Sequence, residues 1–171
     1  MEHTHEETWE EFLDEFIDIF SIFDLLKHKI FICGSYNEEN FPSLVRIKET
    51  LNHRENTLGF FEKEFRRTHS ENLILKFDLI AKFSDEIIMV LEHDKGGQMI
   101  EMGIILAFPE FNNKTKVFVL KDVDMTHMLK KGGLLKPFFS LDEDLFYYNG
   151  LVELNSIITR LYLESNKNKE I

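Results

Sequence analysis

The stretch DEIIMVLEHDKGGQMIEMGIILAF, residues 85–108, decides the fold. Its segment IIMVL, residues 87–91, is a short continuous apolar run, which is typical of a strand buried on both faces. DKGG at 94–97 then favours a tight turn, because glycine adopts backbone conformations that other residues avoid. QMIEMGIILAF at 98–108 is long and apolar enough for a helix. The stretch therefore predicts a buried strand followed by a crossover helix.

The chain on both sides repeats this alternation. Further strands are predicted at KIFIC (29–33), TLGFFEKEF (57–65), KTKVFVLK (114–121) and LFYYNG (145–150). Helices are predicted at PSLVRIKETLNH (42–53), SENLILKFDLIAKFS (70–84) and LVELNSIITRLYLES (151–165), with a loop and short helix at 125–140. Strands joined by helices form right-handed βαβ units. The sequence thus predicts an α/β class with an open, doubly wound parallel sheet of about five strands.

An amphipathic helix is predicted over residues 5–28, ahead of a single α/β domain at 29–171. Its apolar residues recur at three- and four-residue steps between acidic ones: Trp9, Phe12, Leu13, Phe16, Ile17, Phe20, Phe23 and Leu26. Five large aromatic residues of this stripe are expected to be buried: Trp9, Phe12, Phe16, Phe20 and Phe23. The stripe fits two arrangements, packing on the chain's own domain or on a second copy in a homodimer.

Composition narrows the function classes. The chain carries 31 acidic against 20 basic residues, a net charge of −11, which disfavours nucleic-acid binding. No apolar run approaches the roughly 20 residues of a membrane span. The acidic start, MEHTHEETWEEF, differs from a secretory signal, and the lone Cys33 cannot form an internal disulfide. A cytoplasmic protein is therefore expected, and the histidine spacings predict no metal site.

Ligands of open α/β sheets bind at the carboxyl ends of the strands. That rule selects GSYNEE at 34–39, FEKEF at 61–65 and EHDKGGQMIEMG at 92–103. In the last segment Glu101 lies about one turn inside a helix, so its carboxylate could point back toward the strand ends. The alternative is structural: a glycine turn, and a glutamate that favours the helix dipole.

The run FDLIAKFSDEIIMVLEHDKGGQMIEMGIILAF, residues 77–108, resembles the core of the nucleoside deoxyribosyltransferase family. Family members commonly show an Asp on the helix before a strand and an acid that opens that strand, and Asp78 and Asp85 match these positions. A Gly-containing loop and then Glu-Leu-Gly follow the strand in the family, and here the loop is GGQMI and the triplet is Glu101-Met102-Gly103. KIFICGSYNEE is similar to the family's first strand and turn. The resemblance implies a flavodoxin-like sheet, a frequent dimer, no cofactor, and cleavage of an N-glycosidic bond.

The resemblance also implies roles for individual residues. Glu101 would be the nucleophile on the sugar C1′, and Asp78 would assist the leaving base. Asp78 lies seven residues before Asp85, about one short of the family spacing, so Phe77 is the alternative occupant of that helix position. Asp94 is a second candidate for the base-side acid. The implied substrate-binding residues are Gly34, Ser35, Tyr36, Asp94, Gly96, Gly97, Gln98 and Met102.

The expected function is therefore that of a nucleoside or nucleotide N-glycosidase or deoxyribosyltransferase acting on a small molecule. Two alternatives share the fold: a nucleotide-binding or signalling module without turnover, and an NAD hydrolase similar to the TIR-type glycohydrolases. Tyr147-Tyr148-Asn149 could close the site, although tandem aromatic residues usually pack. Cys33 is interpreted as a packed thiol.

Overall fold

The computed structural model describes residues 5–66, 73–93, 95–138 and 144–164. Five strands of this part of the chain form one all-parallel sheet in the order β2-β1-β3-β4-β5, which is the flavodoxin-like order. They are β1 His28–Cys33, β2 Thr57–Phe61, β3 Glu86–Leu91, β4 Thr115–Leu120 and β5 Leu145–Tyr148. The predicted α/β class and parallel sheet are confirmed, with β3 at the centre.

Helices connect and flank these strands. They are α1 His5–Ile19, α2 Phe41–Asn52, α3 Leu73–Phe83, α4 Gly97–Ala107, α5 Pro109–Asn112, α6 Val123–Lys131 and α7 Leu151–Thr159. Short 3₁₀ segments occur at Ile22–Leu26, Glu62–Glu64 and Lys136–Phe138, and a π-helical turn at Arg160–Glu164. Among the described residues, no helix has the length and apolar character needed to cross a membrane.

The sheet is covered on both faces because alternate strand residues point to opposite sides. In β1, Ile30 and Ile32 face α2 and α7, within a core that includes Leu44 and Leu154. Phe31 and Cys33 face the opposite core, to which α1, α3, α4, α5 and α6 contribute. Each strand therefore supplies residues to two cores.

Aromatic packing joins α1 to the second of these cores. The Phe12 and Phe16 side chains are fully buried. The ring centroid of Phe12 lies 5.0 Å from that of Phe65, and the ring of Phe16 lies 4.7 Å from that of Phe83. Trp9 and Phe20 are partly buried against the same core. Four of the five predicted aromatic contacts are thus present within one chain.

Phe23 is not buried by its own chain, and the predicted extent of the N-terminal helix is wrong. The α-helix ends at Ile19, and a separate 3₁₀ turn follows at Ile22–Leu26. Ser21 separates the two segments: its hydroxyl caps the turn at Asp24, 3.3 Å from the backbone nitrogen, and so competes with helix continuation. The change of direction leaves Phe23 76% exposed.

We predict that Phe16→Ala lowers the free energy of unfolding by roughly 3–5 kcal/mol, because it leaves a cavity in a closely packed core. Phe23→Ala is the matched control, and in the monomer, at protein concentrations too low for self-association, it should change it by less than about 0.5 kcal/mol, since the ring is then in solvent. Urea unfolding followed by circular dichroism measures both variants. Equal losses in the two would contradict this placement of the N-terminal segment.

Candidate functional site

The order of the strands creates a switch point at one edge of the sheet. From β1 the chain crosses outward to β2, and then returns past β1 to β3 on its other side. The loops that follow β1 and β3 therefore diverge at their carboxyl ends, and such divergence is where open α/β sheets bind ligands. Gly34–Asn40 follows β1, Glu62–Glu64 follows β2, and Glu92 begins the connection after β3.

Glu101 is a buried carboxyl group beside this switch point. It lies one turn inside α4, only 6% of the residue is exposed, and its Oε2 has no hydrogen-bond partner. Burial, and then the negative charge of Glu62, raise the pKa of Glu101 to about 8. At neutral pH most of this carboxyl is therefore protonated, because an isolated buried charge is costly.

Glu62 is the second acid of the site. It begins the 3₁₀ turn after β2, and its Oε1 lies 3.2 Å from the Nζ of Lys76. Lys76 is itself buried on α3 and also donates a hydrogen bond to the carbonyl of Phe65. Lys76 thus pairs with Glu62, and the charge of Glu62 acts in turn on Glu101. The site therefore contains two acids whose charges interact, an arrangement that proton-transfer chemistry uses.

Tyr36 and Cys33 complete the surroundings of Glu101. The ring of Tyr36 packs edge-on against Phe41 at 5.8 Å and Phe61 at 6.2 Å between centroids. Burial first, and then the charges of Cys33, Glu101 and Glu62, raise the pKa of Tyr36 well above its usual value. Burial and the same two glutamates raise the pKa of the Cys33 thiol. Cys33 is accordingly a protonated, packed side chain, and a poor nucleophile.

The three predicted glycines, Gly34, Gly96 and Gly97, lie at this edge of the sheet in different local settings. A Cβ on Gly34 would lie 2.7 Å from Cδ2 of Leu44, so a larger residue there would force the Leu44 side chain on α2 to move. Gly96 has φ +63°, a conformation that favours glycine, and it allows the chain to turn into α4. Gly97 is exposed at the start of that helix. All three shape the edge of the sheet.

Ser35 and Gln98 also lie at this edge, but Met102 does not face it. Ser35 is buried, and its Oγ lies 3.2 Å from Nε2 of His93. Gln98 is buried and donates from Nε2 to the carbonyl of Val90 at 2.8 Å, which anchors α4 to β3. Met102 is fully buried within the hydrophobic core, so its position is explained by packing.

No hydrogen bond or ion pair joins Asp78 to Glu101 in the described part of the chain. Oδ2 of Asp78 pairs with Nζ of Lys82 on the same helix at 2.7 Å. Phe77, the alternative for that position, is fully buried in the core beside Phe31, with ring centroids 5.3 Å apart. The acid whose charge acts on Glu101 is Glu62. Asp94, the other candidate, lies outside the described residues.

Sequence reasoning selected the segments that contain Glu62 and Glu92, but not these residues themselves. Glu92 comes directly after β3, and its Oε2 is buried without a partner. Burial raises the pKa of Glu92 to about 7; a hydrogen bond from the backbone N–H of Ser35 opposes this shift, and the charge of Glu39 adds slightly to it. The available signal was position, since each acid is the first residue after a buried strand.

A surface cavity near the Tyr36 ring does not include Glu101. The cavity, of about 660 Å³, lies between α2 and the end of β2. Phe41 and Phe61, which contact the Tyr36 ring, line this cavity, whereas Glu101 does not.

Comparison with known proteins gives one family. A family model described as "Family of unknown function (DUF8170)" matches residues 18–130, about two thirds of the chain, and the chain belongs to that family. The matched part includes β1 to β4, Glu62, Glu92 and Glu101. No curated protein matches the sequence.

We predict that Glu101→Gln stabilises the protein, by an amount that grows with pH. The folded-state pKa of Glu101, about 8, exceeds its ordinary value of 4.5, so the folded chain binds more protons between these values. The stabilisation that the folded wild-type protein gains from binding this proton is fully present below pH 4.5 and is lost as pH rises through about 8. The difference should grow by at most about 1.4 kcal/mol per pH unit.

Urea unfolding from pH 5 to pH 9 measures this difference. Glu110→Gln is the matched control, because Glu110 is exposed, and it should show no such slope. A Glu101→Gln variant that is no more stable than wild type at pH 8 would show that the carboxyl is not buried and unpaired.

Proposed function

We propose that this member of the family cleaves the N-glycosidic bond of a nucleoside or nucleotide, with Glu101 acting at the sugar C1′. The observation that best supports this is the Glu101 carboxyl itself, buried with an unpaired oxygen beside the switch point of the sheet. A buried acid without a partner lowers stability, and such groups are concentrated at sites of function.

The proposed reaction has two displacements at C1′. The Glu101 carboxylate attacks C1′, the C1′–N bond breaks, and its electron pair leaves with the base, which takes up a proton. Water, or the nitrogen of a second base, then attacks C1′ and restores the carboxylate. Positive charge builds on the sugar as the bond breaks, and Glu62 supplies a fixed negative charge nearby.

Protonation of Glu101 sets the pH dependence of this reaction. Only the carboxylate is a nucleophile, and a pKa of about 8 leaves a small part of it ionised at neutral pH. The free enzyme should therefore become more active as pH rises through this value. The hydroxyl of Tyr36 keeps its proton throughout, because its pKa is raised, and we assign it as a donor toward the leaving base.

The second candidate is a nucleotide-binding or signalling module that has no turnover. Two observations favour it: Glu101 does not line the cavity beside Phe41 and Phe61, and Asp78 is engaged by Lys82. An NAD hydrolase similar to the TIR-type enzymes differs from the leading proposal in substrate only.

We also propose that the protein acts as a homodimer in the cytoplasm. The segment after α1 exposes Ile22, Phe23 and Leu26 together, and a neutral apolar surface allows self-association of a chain with a net charge of −11.

We predict release of free base when the protein is incubated at pH 8 with nucleosides, nucleoside 5′-monophosphates or NAD. Glu101→Gln should lower the rate at least about 100-fold, since an amide keeps the shape but cannot attack C1′. Glu110→Gln should retain the wild-type rate. Chromatography of the released base gives the rates.

Two results would contradict this proposal. Base release that survives Glu101→Gln unchanged would reject Glu101 as the nucleophile. If no substrate releases base, but a nucleotide raises the melting temperature, the module without turnover is the better account, because a ligand that binds only the native state stabilises it.

A further inference from the structure

Two further buried polar atoms without hydrogen-bond partners lie at the carboxyl ends of the strands, on the face of the sheet opposite to Cys33. The hydroxyl of Tyr148 and Oε2 of Glu92 are both buried and have no hydrogen-bond partner in the described part of the chain. Tyr148 is only 3% exposed. Leaving such groups unpaired is unfavourable, and both atoms have unused capacity to bind a ligand.

The two groups are neighbours that do not bond to each other. Leu91 of β3 and Tyr147 of β5 both pair with Val119 of β4, so Glu92 and Tyr148, one residue further along, lie at the same level of the sheet, two strands apart. Tyr148 belongs to the same core as Val90, and Glu92 is two residues past Val90, so strand alternation places both side chains on that face. The charge of Glu92 also acts on Tyr148, whose pKa is raised mainly by burial. Neither atom has the other as a hydrogen-bond partner. A ligand that carries two hydroxyl groups can bond to both.

Their position relates them to Glu101. Tyr148 ends β5 and belongs to the core between the sheet, α2 and α7, whereas Cys33, beside Glu101, faces the opposite core. Glu92 follows β3, the strand that borders the switch point. A sugar that lies across the strand ends would meet Glu101 on one side, and Glu92 with Tyr148 on the other.

The negative charge around Glu92 favours a neutral hydroxyl over a phosphate as the ligand group. Glu39 adds a further negative charge near Glu92, and no cation is paired with Glu92 among the described residues. A phosphate would be repelled here, whereas a neutral hydroxyl can donate to the carboxylate. In other α/β folds an acid near the strand ends binds a ribose hydroxyl in this way.

We propose that Glu92 and Tyr148 bind the adjacent 2′- and 3′-hydroxyls of a ribose ring, so that the protein acts on ribonucleosides or ribonucleotides in preference to their 2′-deoxy counterparts. This inference rests on the proposed function, because it concerns the sugar whose C1′ faces Glu101. It assigns the sugar class, whereas the resemblance to deoxyribosyltransferases implies the opposite preference.

The test compares adenosine, guanosine, cytidine and uridine, and their 5′-monophosphates, with the matching 2′-deoxy compounds. Two readouts are used: kcat/KM for base release, and the shift in melting temperature at equal concentration. Wild type should favour the ribo form at least about 10-fold in kcat/KM, since a site built to bind a hydroxyl discriminates against the analogue that lacks it. Glu92→Gln and Tyr148→Phe should each bring the ratio close to one.

Tyr147→Phe is the matched control. Tyr147 precedes Tyr148 on β5 and also has a buried, unpaired hydroxyl, but it packs toward the opposite core. It should leave the ratio unchanged. Because Tyr148→Phe keeps the ring, circular dichroism and urea unfolding should show a folded protein.

The outcomes separate this inference from the proposed function. Base release without a ribo preference, or a preference that survives both variants, overturns the inference and leaves Glu101 chemistry standing. A melting shift that favours ribo compounds and is lost in both variants, without base release, supports the subsite and overturns turnover. Absence of both binding and release overturns both.

Discussion

The rest of the structure depends on burial of the central strand. From Ile87 to Leu91 each residue of β3 is fully buried, so neither face of the sheet can contact water. A parallel sheet with both faces apolar needs helices on both sides, and right-handed crossovers supply them. The outward step from β1 to β2 and the return to β3 follow from this constraint. The switch point is the geometric result of building such a sheet.

That geometry explains why acids accumulate where burial should exclude them. Glu62 and Glu92 begin the connections after β2 and β3, and Glu101 lies on the helix after β3. Lys76 neutralises Glu62, but Glu92 and Glu101 keep unpaired oxygens and raised pKa values of about 7 and 8. The fold tolerates this cost because the two cores supply far more favourable burial than two acids remove. A chain selected for stability alone would have amides or apolar residues there.

The sequence predicted the strands well because buried parallel strands are continuous apolar runs, and the helices between them follow from chain length. Prediction failed where a local contact overrides periodicity: the apolar spacing continues through Phe23, but the Ser21 hydroxyl ends the helix. Glu101 could be selected from its place after a glycine turn. The role of Glu62 could not, because it follows β2 and comes near Glu101 only through the order of the strands, whereas Asp78 is nearer in sequence. The placement of Glu92 level with Tyr148 likewise depends on the order of strands in space, which residue spacing does not encode.

The central claim is that Glu101 attacks the sugar, and a trapped intermediate tests it most directly. A 2′-fluoro nucleoside with a good leaving base suits this test. The fluorine slows both displacements because it destabilises positive charge at C1′, and the leaving base restores the first, so the intermediate accumulates. The protein would be incubated with it near pH 8.5, where Glu101 is mostly ionised, then digested and analysed by mass spectrometry. The account predicts a fluoropentosyl ester on the peptide that contains Glu101, and none in Glu101→Gln. Base release without an adduct, or an adduct on another side chain, would contradict it.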